Sequence, residues 1–228
     1  EALDLAERAC TADVIRQEDD TALLTLLCNE DGGVIDQCHV LRLEDCWLLM
    51  TSPINREKVL AHLKQLGEGM SVRIDDQTSG SALFCVAGAQ AESILDPILP
   101  VRVAGMPSGQ VKTGSFLVAR YIAARSQWLG IWSLEVMLPK MMAGQAWRFI
   151  TEKAGESAVA PAGMATYDVL RIEAGRCRYG HELNETIDPF AAGLGHAVDY
   201  DHDFLSPEAL ATLGGWSLAR RRVGLVLQ

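Results

Sequence analysis

The sequence predicts an α+β protein built mostly from antiparallel sheets with flanking helices. Three observations lead there. Short apolar runs are separated by turn residues, as where Asp31-Gly32-Gly33 divides residues 22–29 from residues 34–43. Helical patterns fall between such runs in no regular βαβ order. Neither G-x-G-x-x-G after a strand nor G-x-x-x-x-G-K-[ST] occurs, so a dinucleotide fold or a P-loop has no support.

Taken in order, the chain opens on an acidic helix pattern, EALDLAERA. Residues 22–29, 34–43 and 46–50 read as three strands, the first two a hairpin, with Glu44-Asp45 turning into the third. Ser52-Pro53 marks a helix start, a hydroxyl cap followed by proline in the first turn. Val59, Leu63 and Leu66 recur at helical spacing until Gly67. Residues 70–74 and 82–86 are strand-like, and residues 90–95 a short helix closed by Pro97. Residues 101–111, with glycines and a proline, read as a small hairpin. Strands are expected at 116–121 and 132–137. Pro139 opens a helix to Ala154, with Trp147 and Ile150 on one face and Gly155 as its stop. Residues 161–174 are helical. Ser206-Pro207-Glu208 repeats the helix start, Gly214-Gly215 ends that helix, and residues 223–227 form a terminal strand.

At 228 residues the chain can bury a full core as one large domain or two small ones. No apolar run approaches the roughly 20 residues that span a membrane, and no signal peptide pattern opens the chain. A net charge of −10 argues against nucleic acid as a partner. Arg220-Arg221-Arg222 reads as a solvated strand entrance, with an anion site as the other reading. None of the six cysteines forms a C-x-x-C pair, which suits a reducing, cytoplasmic compartment. Cys38, His39 and Cys46 lack the spacing of zinc ligands.

Three stretches carry chemistry. Residues 171–194 hold Arg171, Glu173, Tyr179, His181, Glu182, Glu185 and Asp188, too polar for an idle connector. Asp36 stands in a strand that otherwise reads as core, so it is paired or functional. It is either the polar edge of a half-exposed strand or a pocket-facing group. Alternation puts Asp36 and Cys38 on one face, Gln37 and His39 on the other. Trp128 and Trp132 flank Gly130, with Glu135 in the following strand. The rings could stack a heteroaromatic ligand while the carboxylate accepts paired N–H donors. Alternatively, the tryptophans are core and Glu135 pairs with a surface arginine. No H-x-x-x-H, H-E-x-x-H or G-x-S-x-G occurs, so covalent catalysis has little support.

The strings LCNEDGGVID (27–36), NREK (55–58), RIEAGRCRYGHELNETIDPFAAGL (171–194) and DFLSPEAL (203–210) resemble the glycine-cleavage T-protein family of aminomethyltransferases. Arg171, Glu173, Ala174, Gly175, Tyr179, Gly180, Glu185, Pro189, Ala192, Gly193 and Leu194 all fall on the family pattern. The resemblance extends weakly over essentially the whole chain. It implies a cloverleaf of subdomains around a folate channel. The subdomains expected are 1–100, then 101–205 closing the pocket, then 206–228 as a helix and the start of a C-terminal barrel. The family's N-terminal segment and the rest of that barrel are expected to be lacking.

The resemblance also implies an activity in one-carbon metabolism. A one-carbon unit passes from an aminomethyl group on a dihydrolipoyl arm to N5 of tetrahydrofolate, and ammonia leaves. Tetrahydrofolate is then the cofactor, and a lipoyl carrier protein a further partner. Glu135 matches the carboxylate that holds the pterin edge, and Tyr179 matches a tyrosine lining the same site. Three positions depart from the pattern. Gln37 stands where the family has its catalytic aspartate, and an amide is no general base near neutral pH. Trp128 replaces a tyrosine, and Tyr167 replaces a folate-contacting arginine. No catalytic residue is assigned. The alternative function is a folate-binding protein without transfer chemistry, serving assembly or repair of another enzyme or acting within an amine-oxidising complex.

Overall fold

A computed structural model describes residues 1–116, 119–126, 128–155, 158–215 and 220–225. In chain order the elements are α1 (Ala2–Ala9), β1 (Thr21–Cys28), β2 (Val34–Arg42), β3 (Trp47–Met50), α2 (Arg56–Leu66), β4 (Ser81–Ala87), α3 (Ala91–Leu95), β5 (Val111–Phe116), β6 (Ala119–Ser126), β7 (Ser133–Pro139), α4 (Ala143–Ala154), α5 (Met164–Glu173) and α6 (Pro207–Gly215). The chain divides into two compact units, Glu1–Asp75 with Cys177–Gln228, and Asp76–Arg176.

The first unit holds an antiparallel sheet in the order β1-β2-β3. The apolar run of β1 serves two cores because its side chains alternate. On one face Leu23, Leu27, Cys38 and Val40 pack with Leu5, Ala6 and Ala9 of α1 and Val59 and Leu66 of α2. On the other, Leu24, Leu26, Cys28 and Val34 pack with Cys177, Leu183, Ala192, Leu194, Phe204 and Leu210. The late polar segment is thus one layer of this unit, though it contains little regular structure. Its Tyr179 and Leu183 form an isolated bridge.

The second unit is an antiparallel sheet in the order β4-β7-β6-β5. One face carries Tyr121, Ala123, Leu134, Val136 and Val86 onto Leu95 of α3, Ile150 of α4, Val103 and Met106. The α+β class with antiparallel sheets is therefore observed. Among the described residues no helix is long and apolar enough to cross a membrane.

Several local expectations need correction. Residues 71–77 pair with no strand. Met70, Val72 and Ile74 do pack on the first core, so their alternation reflects a one-sided contact without a ladder. Residues 101–110 form no hairpin. Three of their backbone donors are taken by side chains instead: Asp96 Oδ1 accepts from Val103 N and Ala104 N, both at 2.8 Å, and Glu92 Oε1 from Gly105 N at 2.7 Å. The strand expected at 116–121 spans the end of β5 and the start of β6; residues 117 and 118 lie outside the described residues. Pro139 ends β7 rather than opening a helix, and α4 starts at Ala143 after a single 3-10 turn, Lys140–Met142. Ser52 makes no side-chain cap, and a 3-10 turn, Pro53–Asn55, precedes α2. Of the expected terminal strand, residues 223–225 are not in a strand, and 226–227 lie outside the described residues.

Candidate functional site

In the first unit the turn after β1 is built around Asn29. Its Oδ1 accepts from Asp31 N at 3.1 Å and Gly33 N at 2.8 Å. Its Nδ2 donates to the Glu185 carbonyl at 3.2 Å. Gly32 sits at φ +83°, a left-handed conformation that suits glycine. The register shifts between Leu27 and Cys28, and Val34 N donates at 3.0 Å to Ile187 O of the late segment. Ser206 Oγ closes the arrangement on Asn29 O at 3.0 Å. The four strings that carry the family resemblance are therefore assembled in this one unit, apart from residues 171–176.

Asp36 is fully buried. It accepts from Ser52 N at 2.8 Å and Asn55 Nδ2 at 3.0 Å. Asn55 Nδ2 also donates to Ile35 O at 3.0 Å. Burial pushes the Asp36 carboxyl above the usual aspartate range, opposed by the bonds from Ser52 and Asn55. The exposed-edge reading of Asp36 is thus corrected: it is a buried anchor joining β2 to the entry of α2. Gln37, on the opposite face, has both amide atoms buried and unpartnered among the described residues.

Tyr179 is half-buried beside an ion pair. Lys58 Nζ lies 2.5 Å from Glu185 Oε1 and donates to the Tyr179 hydroxyl at 2.7 Å. The Tyr179 hydroxyl reaches Glu185 Oε1 at 3.5 Å. These bonds, Glu185 first, raise the Lys58 ammonium pKa. The pair is exposed, 41% and 44%, so it orients the hydroxyl more than it stabilises the fold. Sequence reasoning did not single out Lys58 and Glu185 as partners of Tyr179. The available signal was their presence in the NREK and late strings.

In the second unit Glu135 is half-buried in β7, between Cys85 of β4 and Ala124 of β6. Alternation gives this sheet face Leu83, Cys85, Glu135, Met137, Ile122 and Ala124. Leu83 remains 53% exposed. The same alternation adds Thr113, Ser126 and Ser133 to this face, and burial pushes the Glu135 carboxyl up, opposed by a hydrogen bond from Ser126. Ser126 was also missed. It stands two residues from Ala124, so strand alternation puts it diagonal to Glu135.

The two tryptophans are engaged differently. Trp132 packs on the unit's core under the Arg125 guanidinium, 4.7 Å from its ring. Trp128 is half-buried under Arg176 at 5.4 Å, and Arg176 Nε donates to Trp128 O at 3.2 Å. Buried Arg171 pairs with Asp168 at 2.5 Å and donates to Arg176 O at 3.1 Å, which fixes the exit from α5. Glu135 thus belongs to the second unit and Tyr179 to the first.

The sequence profile of the GCVT N-terminal domain matches residues 1–202. The chain belongs to this family. Among relatives, an aminomethyltransferase of Rubrobacter xylanophilus is 31% identical over 224 residues, covering 97% of this chain and 59% of the relative. One from Moorella thermoacetica is 30% identical over 229 residues, covering 100% of this chain and 63% of the relative. The chain therefore spans about three fifths of the length of these family members. The crystal structure of glycine cleavage system aminomethyltransferase T from Bartonella henselae superposes with a TM-score of 0.82 at 23% identity, covering 92% of this chain and 57% of that one. At that identity the likeness shows the family fold and nothing finer.

Proposed function

We propose that this chain is a tetrahydrofolate-dependent, aminomethyltransferase-like protein that moves a one-carbon unit from an aminomethyl donor to tetrahydrofolate. The observation that carries the reading is Glu135. A desolvated carboxylate flanked by Cys85 and Ala124 is costly unless a ligand adds donors to the one that Ser126 supplies. The flat ring and paired N–H groups of a pterin fit that demand. Bound tetrahydrofolate would supply the N5 nucleophile. Glu135 would accept the pterin's N–H donors, held in place by Ser126. In the first unit, Tyr179, oriented by Lys58 and Glu185, is a separate candidate folate contact through its hydroxyl. A dihydrolipoyl carrier protein is the proposed source of the aminomethyl group.

A second reading, folate binding without transfer, is favoured by Gln37, which supplies no base where the family has its catalytic aspartate. Ammonia release from an aminomethylated lipoyl carrier, followed with tetrahydrofolate present, separates the two. Release above the uncatalysed rate supports transfer. Binding without release supports the second reading, and the absence of binding defeats both.

A further inference from the structure

We propose that the outer edge of β4 pairs with β4 of a second copy of this chain, antiparallel about a two-fold axis at Phe84. β4 is an edge strand of the second unit, bonded to β7 on one side. Lys140 N donates to Gly80 O at 2.8 Å and Gly88 N to Trp132 O at 3.0 Å, so the even-numbered positions between them turn their backbone groups to β7. Ser81, Leu83, Cys85 and Ala87 therefore turn theirs outward. Pro139 fits this phase, because it stands opposite Ser81, where no donor is required. Among the described residues no hydrogen bond reaches those outward groups, and Leu83, Cys85 and Ala87 are exposed.

The other sheet edges are protected. β3 is four residues long. β1 is covered at Leu26, whose N–H donates to Thr11 Oγ1 at 3.1 Å and whose carbonyl accepts from Thr11 N at 3.0 Å. β5 carries Lys112. β4 has no charge, no proline and an unbroken register, and no charged residue occurs from 77 to 91. An edge without such devices is a template for another strand.

The sequence of β4 suits its own copy. An axis at Phe84 sets Leu83 opposite Cys85, Ala82 opposite Val86 and Ser81 opposite Ala87, so each outward residue meets another outward residue. No like charges meet at the join, although the chain carries −10 overall. Phe84 meets Phe84 in a pair without hydrogen bonds, where side chains approach most closely. Its ring lies 6.1 Å from that of Trp147, which is still 45% exposed, so the pairing adds an aromatic neighbour beside it. A contact of one strand edge and a few rings is small, and its Kd is expected on the order of micromolar.

Sedimentation velocity of the full chain across about 1–200 μM tests this. The wild type is expected to pass from monomer to dimer over that range and no further. Leu83→Lys, at a position 53% exposed, should melt like the wild type at monomer concentrations and raise the dimer Kd about tenfold or more. Leu83→Cys sets a thiol opposite Cys85 of the second copy, with Cα atoms about 5.5 Å apart, within reach of a disulfide. Oxidation with diamide should then give a dimer linked between positions 83 and 85, identified by mass spectrometry. A wild type that stays monomeric throughout overturns the proposal. So does a dimer that Leu83→Lys leaves intact, or a Leu83→Cys chain that forms no 83–85 link between copies. Growth beyond the dimer overturns it as well, because two-fold pairing uses up the edge.

Discussion

Asp36 and Glu135 are both carboxylates pushed up by burial, yet only one has its oxygens met by the backbone and a buried amide. Asp36→Ala would leave Ser52 N–H and Asn55 without their acceptor, a loss of roughly 2–4 kcal/mol read by urea unfolding. A loss below about 1 kcal/mol would show that solvent replaces the carboxylate. On the proposed reading Glu135 serves binding, so its raised pKa has a different consequence. If the ionised form holds the pterin, affinity is full above the raised pKa. It falls as pH drops through that value, before an ordinary glutamate would titrate. The Kd of the wild type should show this step and that of Glu135→Gln should not; identical profiles would separate the step from Glu135. Tyr179→Phe removes only a hydroxyl held by an exposed ion pair. Melting should shift little while tetrahydrofolate affinity falls, and unchanged affinity would remove Tyr179 from the site. The sequence made Asp36 visible as an anomaly in a core strand. Its partners lie 16 and 19 positions away, beyond any local pattern.

The β1–β2 hairpin was legible because alternation, apolar runs and a Gly-Gly turn agreed. Its bulge and its contact with the late segment were not. Gly33 illustrates the reason. A Cβ there would overlap the backbone carbonyl of Glu185, a residue from the other end of the chain. Gly33→Ala should therefore cost about 2–4 kcal/mol in urea unfolding, more than a surface glycine exchange. A neutral effect would show that the late segment moves aside at no cost. The absent hairpin at 101–110 has a similar origin. Asp96 and Glu92 take the backbone donors of Val103, Ala104 and Gly105, and hydrophobic periodicity does not register such caps. The strand expected at 116–121 merged two strands because the apolar run continues in sequence from the end of β5 to the start of β6.

At the scale of the molecule, chain order and spatial order part company. The first unit closes only with Cys177–Gln228, and β4 pairs with β7 across the intervening β5 and β6. Strand pairing over such separations is set by packing, which local patterns do not encode. The late segment was nonetheless the most legible part of the candidate site. Its fixed residues carry the family pattern, and the structure uses Glu185 and Ile187 to grip the β1–β2 turn. What the pattern could not say is which groups lack partners, because that depends on every neighbour at once. Gln37 was read as a changed position, and only the structure shows its amide unpaired among the described residues. The central claim, that the Glu135 sheet face receives a pterin, is tested most directly by calorimetric titration of tetrahydrofolate into the wild type and Glu135→Ala. Saturable binding by the wild type, lost in the variant at unchanged melting temperature, is the predicted result. Equal affinity in both, or no heat from the wild type, would contradict it.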